Sequence, residues 1–142
     1  MKVSDIMSRP VISVGQQELT SQAARLMKRY DLGALPVCDD RGHLRGVVTD
    51  RDIVTRCIAG ELDPETTKLR EIMTRGITVC SPAEEVAAVM DTMAKNQLRR
   101  LPVVEEGKLV GLVSLTDAAR SRYGSAEAAE ALCRITANVT RK

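Results

Sequence analysis

The feature that most constrains the fold of this chain is an internal repeat. The tripeptide Asp5-Ile6-Met7 has its counterpart in Glu71-Ile72-Met73, and Leu35-Pro36-Val37 recurs as Leu101-Pro102-Val103, in both cases 66 positions later. A chain of 142 residues therefore holds two copies of one small unit. Because a unit of this size cannot bury its own apolar face, we expect the two copies to pack on each other.

A third shared motif lies near the end of each copy and helps to define the domain boundaries. It contains two glycines, three apolar residues and a hydroxyl residue that Asp follows three places later, and it spans Gly42–Asp52 and Gly107–Asp117. The second occurrence is displaced by 65 positions, because the turn of the first copy is one residue longer. The chain thus divides into a first domain (1–60), a linker (61–68), a second domain (69–124) and a C-terminal helical extension (125–142).

The spacing of apolar residues predicts the order strand, helix, strand, strand, helix in each copy. The predicted fold class is α+β, with two β-α-β-β-α repeats packed as a pseudo-twofold pair. Residues 126–139 have helical composition with a possible apolar stripe of Ala129, Leu132, Cys133 and Ile135, able to dock on the pair or on a second subunit. The predicted elements are strands at 11–14, 34–37, 44–48, 77–79, 101–104 and 109–113, and helices at 19–30, 49–57, from 81 and from 114.

Composition excludes several classes of function. Aromatic residues make up 1% of the chain and the net charge is +2, so neither a base-stacking platform nor a basic surface for nucleic acid is expected. No apolar run is long enough to span a membrane, and the first residues lack the apolar region of a secretory signal, so we expect a cytoplasmic protein. Four separated cysteines and a single histidine, His43, predict reduced thiols and no metal site.

The three motifs together resemble the CBS (cystathionine β-synthase) domain, and the resemblance covers both copies from Val3 to Gly124. It extends to small stand-alone CBS-pair proteins, including those of the hypoxic-response type. The resemblance implies tandem CBS domains, known as a Bateman module, that bind a regulatory ligand between the repeats and associate as homodimers through their helices.

Two interpretations are open for the hydroxyl residue and the Asp that end each motif. A hydroxyl and a carboxylate three places apart form the capping box of a helix N-terminus. The same groups could instead bind a nucleotide, with the hydroxyl and helix terminus donating to a phosphate and the carboxylate accepting from both ribose hydroxyls.

The resemblance implies two pseudo-symmetric ligand sites, each drawing on both copies. In site B three guanidinium groups could meet a multiply charged phosphate, although Arg99 and Arg100 could equally be a solvated pair at a helix end. Site A has less charge and suits a nucleoside-like ligand such as S-adenosylmethionine, or none. Site A comprises Ser8, Val11, Leu32, Gly33, Ala34, Ser114 and Asp117, and site B comprises Thr74, Ile77, Leu98, Arg99, Arg100, Thr49, Arg51 and Asp52.

No nucleophile and base occur together in the motifs, so no catalysis and no catalytic cofactor are predicted. The first hypothesis is a regulatory sensor of AMP, ADP, ATP, NAD or S-adenosylmethionine that signals to an effector protein. The alternative is a ligand-free dimeric interaction scaffold in which both motifs are only helix caps. An enzyme is the third reading. The substitutions Asp52→Ala and Asp117→Ala discriminate between the first two, because only a sensor would lose ligand affinity.

Overall fold

The computed structural model describes residues 1–121 and 125–139, which fall into two compact units. One unit joins Met1–Val11 to Thr78–Lys142, and the other is Ile12–Ile77. The units therefore do not coincide with the copies of the repeat, because the opening segment of each copy belongs to the unit of the other copy. The domain limits 1–60, 61–68, 69–124 and 125–142 stay predictions, and residues 124 and 140–142 lie outside the described part.

The unit Ile12–Ile77 is built on a three-stranded sheet. Strand β1 (Val14–Gly15) runs parallel to β2 (Ala34–Cys38), which pairs antiparallel with β3 (Leu44–Thr49). Helix α1 (Thr20–Tyr30) buries Ala23 and Met27. The core of this unit lies between the helices and the sheet and contains Leu35, Val37, Val48, Leu69 and Ile72, all at most 1% exposed.

Helical structure after β3 is less regular than predicted. Helix α2 (Asp50–Asp52) is a single turn, and Ile53–Ile58 continues as a π-helical segment. After the linker, the short helix α3 (Leu69–Ile72) leads to residues 73–77. The predicted strand 11–14 is reduced to β1, because only Val14 and Gly15 find partners in β2.

The described residues of the other unit form a two-stranded antiparallel sheet, three α-helices and a short 3-10 helix at Val3–Asp5. Helix α4 (Val86–Lys95) precedes the hairpin of β4 (Arg100–Glu105) and β5 (Lys108–Ser114), and helices α5 (Leu115–Arg120) and α6 (Ser125–Val139) follow it. The predicted strand 77–79 is wrong, since only the neighbouring Cys80 pairs, as an isolated bridge to Val103. The fully buried core residues of this unit include Val3, Val89, Met93, Leu101, Val103 and Val113.

Helix α6 packs on α4 and α5 and confirms the predicted C-terminal helix. Its buried face, however, is Ala128, Ala131 and Ile135, whereas three residues of the predicted stripe, Ala129, Leu132 and Cys133, are exposed. Small side chains let the helix approach its neighbours closely, which the hydrophobicity of single positions does not reveal. None of the described helices has the length and apolar character needed to cross a membrane.

Each copy's opening segment lies against the last strand of its unit. Ser8 exchanges backbone hydrogen bonds with Leu112 of β5 at 2.8 and 3.1 Å, and Thr74 does so with Val47 of β3 at 2.8 and 3.0 Å. A Cβ atom on Gly46 would lie 2.5 Å from the carbonyl oxygen of Thr74, and one on Gly111 would lie 2.7 Å from the sulfur of Met7. The glycine of the third motif is therefore needed at position 46, where a backbone carbonyl crosses the strand, whereas at position 111 the nearest atom belongs to a flexible side chain.

Candidate functional site

The hydroxyl and Asp residues of the third motif form capping boxes in both copies. The backbone N–H of Thr49 donates to Asp52 Oδ2 at 3.0 Å, and the N–H of Asp52 donates to Thr49 Oγ1 at 3.0 Å. The matching distances for Ser114 and Asp117 are 2.9 and 3.0 Å. Both motifs therefore cap helices, α2 in the first copy and α5 in the second. Ligand binding at the same residues depends on how many hydrogen bonds each carboxylate can still accept.

The carboxylate of Asp52 is enclosed and engaged. The residue is 7% exposed, and the hydroxyl of Thr74 donates to both of its oxygens at 3.2 and 3.3 Å. Arg56 Nε lies 3.7 Å from Oδ1. The structure therefore brings together two predicted residues of site B, Thr74 and Asp52, and uses most of the acceptor capacity of this carboxylate inside the protein.

The carboxylate of Asp117 has a more open environment. The residue is partly exposed, and Oδ1 has no hydrogen-bond or ionic partner among residues 1–121 and 125–139. Ser8, the counterpart of Thr74, is exposed and holds β5 only through its backbone. Although the motif repeats, the two Asp residues thus differ in what they can still accept.

The remaining predicted residues are divided between the two units. Site A has Ser8, Val11, Ser114 and Asp117 in the unit of residues 1–11 and 78–142, and Leu32, Gly33 and Ala34 in the unit of residues 12–77. Assembly of each site from both units stays a prediction. For site B, Leu98, Arg99 and Arg100 lie in the former unit, and Thr49, Arg51, Asp52, Thr74 and Ile77 lie in the latter.

A cleft of about 450 Å³ lies wholly within the unit that contains α6. Arg100 was predicted in site B and Ser114 in site A, but the strand register of β4 and β5 places these two residues opposite each other. Arg100 begins β4 and Ser114 ends β5, so their positions at the open end of the hairpin were a signal for this pairing, although a register shift between Val103 and Val104 makes the second strand one residue longer. No sequence pattern indicated that α6 would line this cleft. The cleft is lined by Arg99, Arg100, Ser114, Leu115, Thr116, Ala119, Ala128, Ala129 and Leu132.

Asp39 organises the turn between β2 and β3. Its carboxylate accepts from the backbone N–H groups of Arg41 and His43 at 2.9 and 3.0 Å and from Arg45 Nε at 2.9 Å. Partial burial acts to raise the pKa of Asp39, but these hydrogen bonds and the Arg45 charge outweigh it and lower the pKa to about 2. His43 belongs to this turn, and its Nδ1 atom lies 3.6 Å from Oδ2 of Asp39.

The cysteines are separate thiols. Cys38, Cys57 and Cys80 are buried and Cys133 is exposed. Burial, with a smaller contribution from the Glu84 charge, raises the pKa of Cys80 to about 12, so this thiol stays protonated. Within the described ranges, no three His, Cys, Asp or Glu side chains gather in a way that could hold a metal ion.

Comparison with known proteins defines the class. Residues 3–58 and 69–124 match the family model of the CBS domain, so the chain belongs to the CBS-domain family and carries the domain in tandem. The resemblance and the α+β fold class predicted from the sequence are both confirmed. A CBS pair is a regulatory module.

Two curated relatives match this chain over most of their own length. Hypoxic response protein 1 of Mycobacterium tuberculosis is 40% identical over 116 residues, which are 82% of this chain and 81% of that protein. CBS domain-containing protein YhcV of Bacillus subtilis is 36% identical over 134 residues, 94% of each chain.

Two solved structures are close to this fold. Hypoxic Response Protein I with two coordinated zinc ions matches with a TM-score of 0.78 and 38% identity, over 84% of this chain and 98% of that one. The CBS domain pair of protein MJ0100, in complex with 5′-methylthioadenosine and S-adenosyl-L-methionine, matches with a TM-score of 0.73 and 30% identity, over 84% and 94%.

Proposed function

We propose that this CBS pair is a sensor of an adenosyl ligand and that the ribose of this ligand binds at Asp117. The observation that carries the proposal is the unequal use of the two motif carboxylates. Asp52 is enclosed by Thr74 and Arg56, whereas Oδ1 of Asp117 keeps its acceptor capacity in the described part of the chain.

The chemistry at Asp117 suits a ribose diol. While Oδ2 accepts the N–H of Ser114, Oδ1 can accept from a ribose hydroxyl, and Oδ2 has a further lone pair for the second hydroxyl. The cap also fixes the orientation of the carboxylate before any ligand arrives, which lowers the entropy cost of binding. Capping and binding are therefore compatible roles for one residue.

Site A accordingly is the proposed ligand site. In it the backbone and apolar groups of Ser8, Val11, Leu32, Gly33 and Ala34 hold the base, and Ser114 and Asp117 hold the sugar. The absence of an Arg or Lys from this set favours a ligand with little negative charge, such as S-adenosylmethionine or a nucleoside. The complex of MJ0100 with 5′-methylthioadenosine and S-adenosyl-L-methionine supports the same ligand class.

Site B is a second proposed site, and it differs from site A in its positive charge. Thr49, Arg51, Asp52, Thr74, Ile77, Leu98, Arg99 and Arg100 would offer more positive charge and suit AMP, ADP, ATP or NAD. Here Asp52 would have to exchange its bond with Thr74 for one with a ribose hydroxyl. This exchange makes site B the weaker ribose acceptor.

The proposal includes no catalysis and no catalytic cofactor. Ligand binding would shift the relative stability of two arrangements of the pair, and an effector protein or a second copy in a homodimer would detect the change. We place this regulation in the cytoplasm, where adenine nucleotides and S-adenosylmethionine are made and used.

A ligand-free dimeric interaction scaffold is the competing function. The observation in its favour is that both Asp residues already serve as helix caps, so the repeated motif has a structural role without any ligand. The two functions differ in one measurable property, which is affinity for an adenosyl compound that depends on Asp117.

Isothermal titration calorimetry tests the proposal. The protein is titrated with S-adenosylmethionine, 5′-methylthioadenosine, AMP, ADP, ATP and NAD, and the titrations are repeated with Asp117→Asn. Loss of the charged acceptor should weaken binding by about tenfold or more, since a hydrogen bond to a charged group contributes about 1.5–3 kcal/mol. Glu106→Gln, in the exposed turn between β4 and β5, is the matched control for the loss of one negative charge.

Three results would decide between the two functions. Binding that falls in Asp117→Asn and persists in Glu106→Gln supports the sensor. Binding that is equal in wild type and Asp117→Asn contradicts the ribose contact. If no adenosyl compound binds the wild-type protein, the scaffold is the function.

A further inference from the structure

Two side chains connect the chain segment after α3 to the Asp52 carboxylate. The Thr74 hydroxyl donates to Asp52 Oδ2 and Oδ1 at 3.2 and 3.3 Å. Arg56 lies with Nε 3.7 Å from Oδ1, and its Nη1 donates to the backbone carbonyls of Ile72 and Met73 at 3.1 Å each. One network within the unit Ile12–Ile77 therefore holds both the carboxylate and the end of α3.

This network occupies the oxygens of Asp52 that a ribose would use. A ribose diol can donate one hydroxyl to each oxygen of a carboxylate, and the single Thr74 hydroxyl already lies within hydrogen-bond distance of both. Oδ2 also accepts the backbone N–H of Thr49 at 3.0 Å, which leaves it little capacity for a third donor. Thr74 and a ribose would therefore compete for the same acceptor.

The other copy of the repeat has no equivalent network in the part of the chain that the structure describes. Ser8 stands at the position of Thr74, but it is exposed and contacts β5 through its backbone. Ser121 stands at the position of Arg56. Since Asp117 forms its capping box without such a network, the closure over Asp52 is not a requirement of helix capping.

The segment held by this network lies just before a connection between the two units. Thr74 pairs with Val47 of β3 through its backbone, and the chain enters the other unit after Ile77. The carbonyls that Arg56 contacts belong to the C-terminal end of α3, where a helix leaves its carbonyl groups without internal partners. Opening of the network would expose these carbonyls and loosen the chain before the connection.

We propose that Thr74 and Arg56 form an autoinhibitory latch, which closes Asp52 to a ribose and opens when a ribose displaces the Thr74 hydroxyl. The inference rests on the proposed site B and adds how that site is regulated. Only molecules with an open latch bind the ligand, so the apparent Kd is the intrinsic value divided by the open fraction. Binding in turn favours the open state and loosens residues 70–74.

Titration calorimetry with AMP tests the latch. All proteins carry Asp117→Asn, which removes the ribose contact proposed for site A, and adding Asp52→Asn shows whether the remaining AMP binding uses Asp52. Thr74→Val opens the latch by removing one hydroxyl, whereas Thr74→Ser keeps a hydroxyl at this position. Thr55→Val is the matched control, because the exposed Thr55 hydroxyl donates to the backbone carbonyl of Arg51 at 2.7 Å, away from Asp52. The urea midpoint of each variant verifies that it is folded.

We expect Thr74→Val to tighten AMP binding about fivefold, which corresponds to about 1 kcal/mol, and Thr74→Ser and Thr55→Val to leave the affinity unchanged. The direction separates a latch from a binding residue, because removal of a hydroxyl that contacts AMP would weaken binding. Unchanged or weaker binding in Thr74→Val would refute the latch and leave site B in place.

Two further outcomes separate the latch from the proposed function. If AMP binds neither with Thr74 present nor in Thr74→Val, or if its binding is insensitive to Asp52→Asn, both site B and the latch are refuted. The sensor proposed at Asp117 is judged separately, by S-adenosylmethionine binding that depends on Asp117.

Amide hydrogen exchange measures the release of the segment. AMP should increase exchange in residues 70–74 and leave residues 20–30 of α1 unchanged, and Thr74→Val should have the same effect without AMP. A purely structural contact predicts no increase, since a bound ligand would only protect the amides near it. Unchanged or slower exchange in residues 70–74 with AMP bound would overturn the release step.

Discussion

The unequal environments of the two motif carboxylates predict unequal stability effects. Asp52→Ala removes the acceptor of the Thr49 N–H at 3.0 Å and of the Thr74 hydroxyl at 3.2 Å in a residue that is 7% exposed. Asp117→Ala removes only the acceptor of the Ser114 N–H at 2.9 Å. In each variant the hydroxyl side chain still accepts from the backbone N–H of the substituted residue, so one half of the capping box is retained.

The magnitudes follow from these contacts. Loss of a capping interaction costs about 1 kcal/mol, and loss of a further hydrogen bond to a buried charged group costs about 1.5–3 kcal/mol before the hydroxyl of Thr74 finds another partner. The ion pair with Arg56 is half exposed and contributes about 0–1 kcal/mol. We therefore expect the free energy of unfolding to fall by about 2.5–5 kcal/mol for Asp52→Ala and by about 1 kcal/mol for Asp117→Ala.

Urea unfolding followed by far-ultraviolet circular dichroism measures both values by linear extrapolation. Thr74→Val removes only the hydroxyl group, and the double variant with Asp52→Ala completes a cycle whose coupling energy we expect to be about 1 kcal/mol. An equal or larger loss for Asp117→Ala, or a coupling energy near zero, would refute the assignment of Asp52 as the structurally engaged carboxylate.

Three further predictions concern the turn, the C-terminal helix and the thiols. Because the pKa of Asp39 falls from its ordinary value of 3.8 to about 2 on folding, its contribution to stability is present above about pH 4 and is lost as the pH drops through about 2. Asp39→Asn should therefore flatten this part of an acid unfolding curve. An unchanged curve would contradict the prediction. Asp91→Ala should increase amide hydrogen exchange in residues 125–139 and leave residues 34–49 unchanged, since both of its ion pairs serve α4 and α6. Iodoacetamide should label Cys133 first and Cys80 last, as followed by mass spectrometry, because the Cys133 thiol is exposed and the Cys80 thiol is buried and protonated. Labelling in the reverse order would contradict the burial of Cys80.

Local features of this protein were predictable from neighbouring residues. The capping boxes at Thr49 and Ser114 join residues three places apart, so their spacing alone predicts them, and the structure has both. The hairpins followed from alternating apolar residues around short turns, and their strands extend only one or two residues beyond the predicted ends. The strand predicted at 11–14 is shortened to Val14–Gly15 and the one predicted at 77–79 is wrong, because an isolated apolar run specifies no partner strand.

The sequence by itself determined the repeat, the CBS family, the order of the elements and the residues that cap α2 and α5. Only the tertiary structure decided that each opening segment joins the unit of the other copy, that Thr74 closes over Asp52, and that α6 faces Arg99 and Arg100 across a cleft. The physical reason is the range of the interactions. Caps and turns depend on residues within a few places of each other, whereas strand pairing and helix packing join residues far apart in the chain, so near-identical motifs acquire different surroundings.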